Sequence, residues 1–175
     1  MCSLKWPELL GSDSVDVMLD VVTVVAERSF FSVAEPCDDH RFATLSGNTT
    51  RWIVAAVRFA EADCTGVVSC TLAEDLAHML FDAFTGRDPV EPEPEPEHLY
   101  DLVGEFTNMI CGLWLTRLAS QQTFSLSRPT VQQVPDRSLL ALADARLLLV
   151  INEMPLAVEV RLVPTAEQAL TGAEV

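Results

Sequence analysis

Asp101-Leu-Val-Gly-Glu105-Phe-Thr-Asn108-Met-Ile-Cys-Gly112 is the stretch on which the fold turns. Its polar residues Asp101, Glu105 and Asn108 fall at i, i+4 and i+7, with mostly apolar residues between them. On a helix these positions form one narrow stripe. The pattern therefore predicts a helix over His98 to Ala119, buried all round except for one slot facing solvent. The same pattern occurs 85 residues earlier. From Asp13 to Phe31, the residues Asp16, Asp20, Thr23 and Glu27 fall at i, i+4, i+7 and i+11, and Ser12 or Ser14 can cap the helix. The two helices align without gaps: Asp16 with Asp101, Asp20 with Glu105, Thr23 with Asn108, and Glu27 with Gly112.

The repeat extends outward from the helices. Phe31-Ser32-Val33-Ala34-Glu35-Pro36 matches Phe124-Ser125-Leu126-Ser127-Arg128-Pro129, and Ala73-Glu74 matches Ala166-Glu167 at the same spacing. This is an internal duplication, not a short-period solenoid. Arg51 to Ala60 and Cys64 to Leu72 are β-branched and apolar, and they flank the turn-like Glu61-Ala62-Asp63. Arg146 to Asn152 and Leu156 to Val163 form a similar pair across Glu153-Met154-Pro155, with further strands expected at Phe124 to Val134 and Ser138 to Ala143. Ala73 to Thr85 reads as an amphipathic helix stopped by Gly86. The expected fold is α+β in two layers: duplicated halves, with two long helices packed side by side on a mostly antiparallel sheet. Residues 1–175 form a single domain, with halves at about 12–87 and 98–172. Between them, Asp88 to Glu97 alternates proline with glutamate, which blocks regular structure and predicts an extended, solvated connector dispensable for folding.

Composition narrows the function classes. A length of 175 residues with 49% hydrophobic content supports a packed core. Val15 to Val25, the densest apolar run, is broken by Asp16, Asp20 and Thr23, so no membrane span is expected. Met1 to Gly11 lacks a basic region followed by an apolar stretch, so no signal peptide is expected. A formal charge of −15 argues against nucleic acid and anionic membranes as partners and suits a protein with a basic patch. The cysteines Cys2, Cys37, Cys64, Cys70 and Cys111 are odd in number and form no Cys-x-x-Cys pair, which reads as reduced thiols in a cytoplasmic protein. Cys37-Asp-Asp-His40 contains ligand-type side chains, but no second cluster has matching spacing, so a solvated loop is expected there and no metal site. His78 is read as lying at a core edge and His98 as a neighbour of a helix cap. There is no Gly-x-Ser-x-Gly elbow and no phosphate-binding glycine loop.

Periodicity alone reads Glu105 and Asn108 as the wet stripe of an amphipathic helix. Their wider context resembles the CheC/CheX/FliY family of response-regulator phosphatases. The resemblance rests on Glu105-x-x-Asn108 followed by Met-Ile-x-Gly112, on Asp101 four residues earlier, on Pro129 after Phe124-Ser-Leu-Ser-Arg, and on Gly66 with the helix Ala73 to Thr85. It implies hydrolysis of the aspartyl phosphate on a CheY-type receiver domain. Asn108 would orient the attacking water and Glu105 would pair with the receiver's lysine. Asp101, Gly112 and Pro129 would support the site or touch the partner. The chain would need no cofactor of its own, because the Mg²⁺ belongs to the receiver.

The first helix departs from the family's two-site pattern. Asp20 is one methylene shorter than glutamate, and Thr23 lacks the amide. Asp16, Asp20 and Thr23 therefore read as a degenerate second site, as in single-site CheX-like members. Such members also make a homodimer possible. The competing reading is a non-catalytic receiver-binding module or dimeric signalling module that uses the same helix face.

Overall fold

The computed structural model describes residues 12–61, 64–88, 90, 92–118, 123–135 and 143–163. The expected strand at Ser138 to Ala143 lies almost wholly outside them, as do the Ala166-Glu167 repeat and Met1 to Gly11. Helix α1 (Ser12–Phe30) leads to strand β1 (Ala34–Pro36) and helix α2 (Asp39–Ser46). The hairpin β2 (Trp52–Glu61) and β3 (Cys64–Ala73) follows, then helix α3 (Glu74–Thr85). Helix α4 (Pro96–Leu118) opens the second half, followed by β4 (Ser125–Leu126), β5 (Thr130–Val134) and the hairpin β6 (Ala145–Ile151) and β7 (Met154–Val163). Every strand pairing is antiparallel. No helix among the described residues is long and apolar enough to cross a membrane.

The sheet runs β1-β6-β7-β3-β2-β4, with β5 also on the outer edge of β2. This order reads the same from both ends once the halves are exchanged. The hairpin of each half lies at the centre, and its edge strand crosses to the other half. Registers repeat at a separation of 90 residues. Glu61 pairs with Cys64 as Ile151 pairs with Met154, and Glu35 with Val150 as Ser125 with Ala60. The pseudo-twofold passes through the Ser69↔Glu159 pair of β3 and β7. Burial confirms the 85-residue match of the helices: Met18, Val21, Val22 and Val25 of α1 are buried, as are Val103, Phe106, Thr107 and Ile110 of α4.

The strand match is a correction. Register makes Pro36 the counterpart of Leu126, not of Pro129. Phe31, expected to match Phe124, instead ends α1 with a left-handed backbone (φ 50°) and is 81% exposed. The Ser32 N–H reaches back to the Ala26 carbonyl at 3.0 Å to close that helix end. The second turn also falls earlier than expected. Asn152 and Glu153, both at positive φ, form a two-residue hairpin loop, and Pro155 lies inside β7. Pro155 sits one residue beyond the last β3 partner, Leu156, so its missing N–H leaves that ladder intact.

α1, α3 and α4 cover one face of the sheet. Strand alternation sends Ile53, Ala55, Val57 and Phe59 of β2 into this core, with Val68, Cys70 and Leu72 of β3. The opposite face carries α2, whose Phe42 packs on Trp52, Val134 and Ala157. α2 occupies part of what was read as a solvated loop. Asp38, one of the ligand-type side chains of that stretch, is its N-cap and accepts the Arg41 N–H at 2.7 Å.

In the main core, Phe59 meets the rings of Trp114 and Phe124 edge-on, at centroid distances of 6.1 and 6.2 Å. Its own ring lies over Gly66, the residue opposite it on β3. A Cβ on Gly66 would fall 2.3 Å from the Phe59 ring. The ring has little room to swing away, because it is held between buried Trp114 and half-buried Phe124. Gly66→Ala should therefore destabilise the protein by about 1–3 kcal/mol, the usual cost of overpacking a filled core. Denaturant unfolding measures this, and an unchanged midpoint would show that the core at Phe59 is loosely packed.

Candidate functional site

α4 starts two residues earlier than expected, with Pro96 in its first turn, where a missing N–H is tolerated. Glu97 in the same turn suits the positive end of the helix. The connector before it is not wholly free. The Arg87 guanidinium pairs with Asp82 at 2.6 Å and also donates to the Pro92 carbonyl at 3.0 Å. Phe81 stacks on His98 at a centroid distance of 6.4 Å. These contacts fix where α4 begins and hence which of its residues face outward.

The inward face of α4 is continuous and apolar. Phe106 meets Phe30 of α1 edge-on at 5.3 Å, and the Trp114 indole N–H donates to the Ser14 carbonyl at 3.2 Å, so α1 is tied to α4 at both of its own ends. Thr107, fully buried, donates its hydroxyl to the Val103 carbonyl at 2.8 Å. Burial pushes the Cys70 and Cys111 thiols up to about 12, which leaves them protonated and unreactive between helix and sheet.

The outward face carries the polar stripe. Asp101 and Glu105 are exposed and Asn108 is half-buried. At i and i+3, Glu105 and Asn108 project side by side, with Cβ atoms about 5–6 Å apart. Neither side chain has a hydrogen-bond or ion-pair partner among the described residues. Asp16 and Asp20 are exposed and Thr23 half-buried on α1, in the same helix layer. The two stripes thus lie on neighbouring helices over one face of the sheet. Pro129 is not on this surface. It lies beneath α4, at a β-bulge where β4 and β5 meet: Ser127 stands by Arg58 and Thr130 pairs with Ala56, so Arg128 and Pro129 share the single partner Val57. The bulge splits the single strand expected over Phe124 to Val134.

Gly104, the residue before Glu105, was missed in the sequence. A Cβ there would lie 3.1 Å from Pro129 Cβ and 3.3 Å from Val131 Cγ2, so glycine lets α4 press onto the bulge. A glycine inside a strongly helical pattern was the available signal, because it costs helix stability without an evident reason. Gly112, singled out from the sequence, is less constrained: its nearest contact would be 3.7 Å, to Leu126.

The matching family model is Chemotaxis phosphatase CheX, over residues 53–150. No curated protein matches the sequence. Solved structures share the fold at low identity. The chemotaxis protein CheX from Vibrio vulnificus is 18% identical with a TM-score of 0.65, over 87% of this chain and 97% of that one. The CheX of a CheX–CheY–BeF3–Mg²⁺ complex from Borrelia burgdorferi is 12% identical with a TM-score of 0.58, over 86% and 97%. Thermotoga maritima FliY is 15% identical with a TM-score of 0.56, over 98% and 95%.

The two glycines of α4 should respond oppositely to substitution. Gly104→Leu should cost at least about 1–3 kcal/mol, because the side chain must enter the contact with Pro129. Gly112→Ala should stabilise by up to about 1 kcal/mol, since it gains helix propensity without a clash. Parallel urea titrations test the pair, and an equal response from both would remove the close contact at Gly104 as a constraint.

Proposed function

Because the chain belongs to the Chemotaxis phosphatase CheX family, we propose that it hydrolyses the aspartyl phosphate of a CheY-type receiver domain through the outward stripe of α4. The observation that carries this reading is exposed Glu105 and half-buried Asn108, one turn apart on the outward face and without hydrogen-bond or ion-pair partners among the described residues, on a helix braced from below at Gly104. A side chain already engaged within the protein would have to break that bond before entering a partner's site.

Attack of water on an acyl phosphate leaves little covalent work for the catalyst. The Asn108 carboxamide donates and accepts hydrogen bonds and stays neutral. It can therefore hold a water in line with phosphorus without repelling the phosphoryl oxygens. Glu105 supplies the negative charge that pairs with the receiver's active-site lysine and sets the docking register. The metal ion in this scheme is the receiver's Mg²⁺, and the chain contributes position alone. Positioning of this kind contributes strongly to rate, because misplacing reacting groups by about 1 Å costs on the order of 10²-fold.

The α1 stripe lacks the required groups. The Thr23 hydroxyl is too short to hold a water where an amide would, and Asp20 does not reach as far as Glu105. We assign α1 no catalytic role.

Asn108→Ala should slow receiver dephosphorylation by about 10²-fold while leaving receiver affinity nearly unchanged, because the amide acts mainly in the transition state. Glu105→Ala should weaken binding, since it removes the charge that faces the lysine. Thr23→Ala should change neither. Single-turnover phosphate loss from a cognate phosphorylated receiver, with affinity measured separately, tests all three. Intact binding with no phosphate loss from the unmodified protein would leave the receiver-binding module as the correct reading.

A further inference from the structure

The face of the sheet opposite the long helices is covered at one end by α2. Towards the β2–β3 turn, a groove of about 560 Å³ lies open. Register places Arg58, Val67 and Arg161 in one row across β2, β3 and β7. The two arginines are thus separated by two strand spacings, about 10 Å between Cα atoms, with Val67 as the floor between them. Both line the groove and both are exposed. Their side chains are long enough to converge on one group held above Val67.

The other polar groups of the groove are already committed. Thr65 donates its hydroxyl to the Val163 carbonyl at 2.8 Å, and Ser125 donates to the Ala60 carbonyl at 3.1 Å. Ser127 donates to the Arg128 carbonyl at 3.0 Å and accepts the Arg58 N–H at 3.0 Å. The nearest acid along the row, Asp144, accepts the Leu162 N–H at 2.7 Å. Among the described residues, neither the Arg58 nor the Arg161 guanidinium has an ion-pair partner, whereas Arg41, Arg51, Arg87 and Arg146 each have a carboxylate. In a chain with 26 acidic and 11 basic residues, two facing arginines left without acids run against the composition.

We propose that this groove binds a small organic dianion, a phosphoryl or dicarboxylate group held between Arg58 and Arg161 with an apolar body over Val67 and Val163. The uncommitted side-chain donors in the groove are guanidiniums, so the ligand's polar group must be an acceptor, and two positive charges select a doubly charged one. The volume falls within the ~300–1,000 Å³ typical of small-molecule sites. A pairing strand is a poorer occupant, because the bulge and Pro129 interrupt the adjacent sheet edge. The site lies across the sheet from Glu105 and Asn108, so it stands apart from the proposed reaction.

Isothermal titration of the whole chain with inorganic phosphate, phenylphosphonate and succinate, at ionic strength matched with chloride, tests the proposal. Saturable binding of at least one dianion is expected. Phenylphosphonate should bind more tightly than phosphate through the apolar wall, and the phosphoryl and succinate arms distinguish the two headgroup classes. Arg58→Gln and Arg161→Gln should each weaken binding about tenfold or more, whereas Arg117→Gln, an exposed arginine on α4, should not. Circular dichroism checks that the variants fold. No saturable binding of any of the three, or equal loss in Arg117→Gln, would overturn the proposal.

Discussion

The pairing of β3 with β7 is the contact on which the architecture depends. It runs from Thr65↔Val163 to Leu72↔Leu156 and joins the hairpin of one half to that of the other. Neither half could close its sheet alone, because β1 lies against β6 and β4 against β2. Each half therefore supplies the edge strand of the other. A one-residue slip at the centre would turn Val68, Cys70, Leu72 and Val158 away from the helices and put Ser69 and Glu159 into the core. The apolar pattern of two strands thus sets the register of the whole sheet. Because these pairings join residues distant in sequence, closing the sheet carries a large loop-closure entropy and slows folding.

The helices inherit their positions from that sheet, but the two halves support them unequally. Under α4 the edge continues through the bulge into β5, and Gly104 lets the helix settle on Pro129 and Val131. The matching position of α1 is Leu19, and the first-half edge stops at Pro36 before the chain turns into α2. The helix with the fuller glutamate–asparagine pair is therefore also the one with the closer backing. On the proposed reading a side chain that positions a water needs a support that does not shift, and the close approach of the α4 backbone to the Pro129 and Val131 side chains supplies one.

The helices were legible in the sequence because a single helix carries its own periodicity. The stripe Asp101, Glu105, Asn108 and its counterpart on α1 needed no knowledge of partners. The strand correspondence was not legible. Phe31 to Pro36 and Phe124 to Pro129 look alike in composition, yet register shifts their match by three residues, because pairing depends on turns and on strands far away in the chain. A phenylalanine in the left-handed position at the end of α1 runs against local preference, so composition could not reveal it. α2 was hidden for a related reason: its eight residues are mostly polar, and it stays in place because Phe42 reaches Trp52. Gly104 stood in plain view but declared its role only once Pro129 was known to lie beneath it.

On the proposed reading, electrostatics accounts for an amide at position 108 of α4. With a net charge of −15, the surface repels anionic groups at long range. On the proposed reading, a second carboxylate at position 108 would add repulsion where the phosphoryl oxygens arrive. Asparagine keeps the hydrogen-bonding geometry and removes that charge. On the same reading Glu105, one turn earlier, carries its charge toward the receiver's lysine, so the acidity becomes attraction there. If Asn108 and Glu105 act as proposed, the i, i+3 spacing separates two requirements that one side chain could not meet: a neutral group facing the phosphoryl and an anionic group facing the cation beside it.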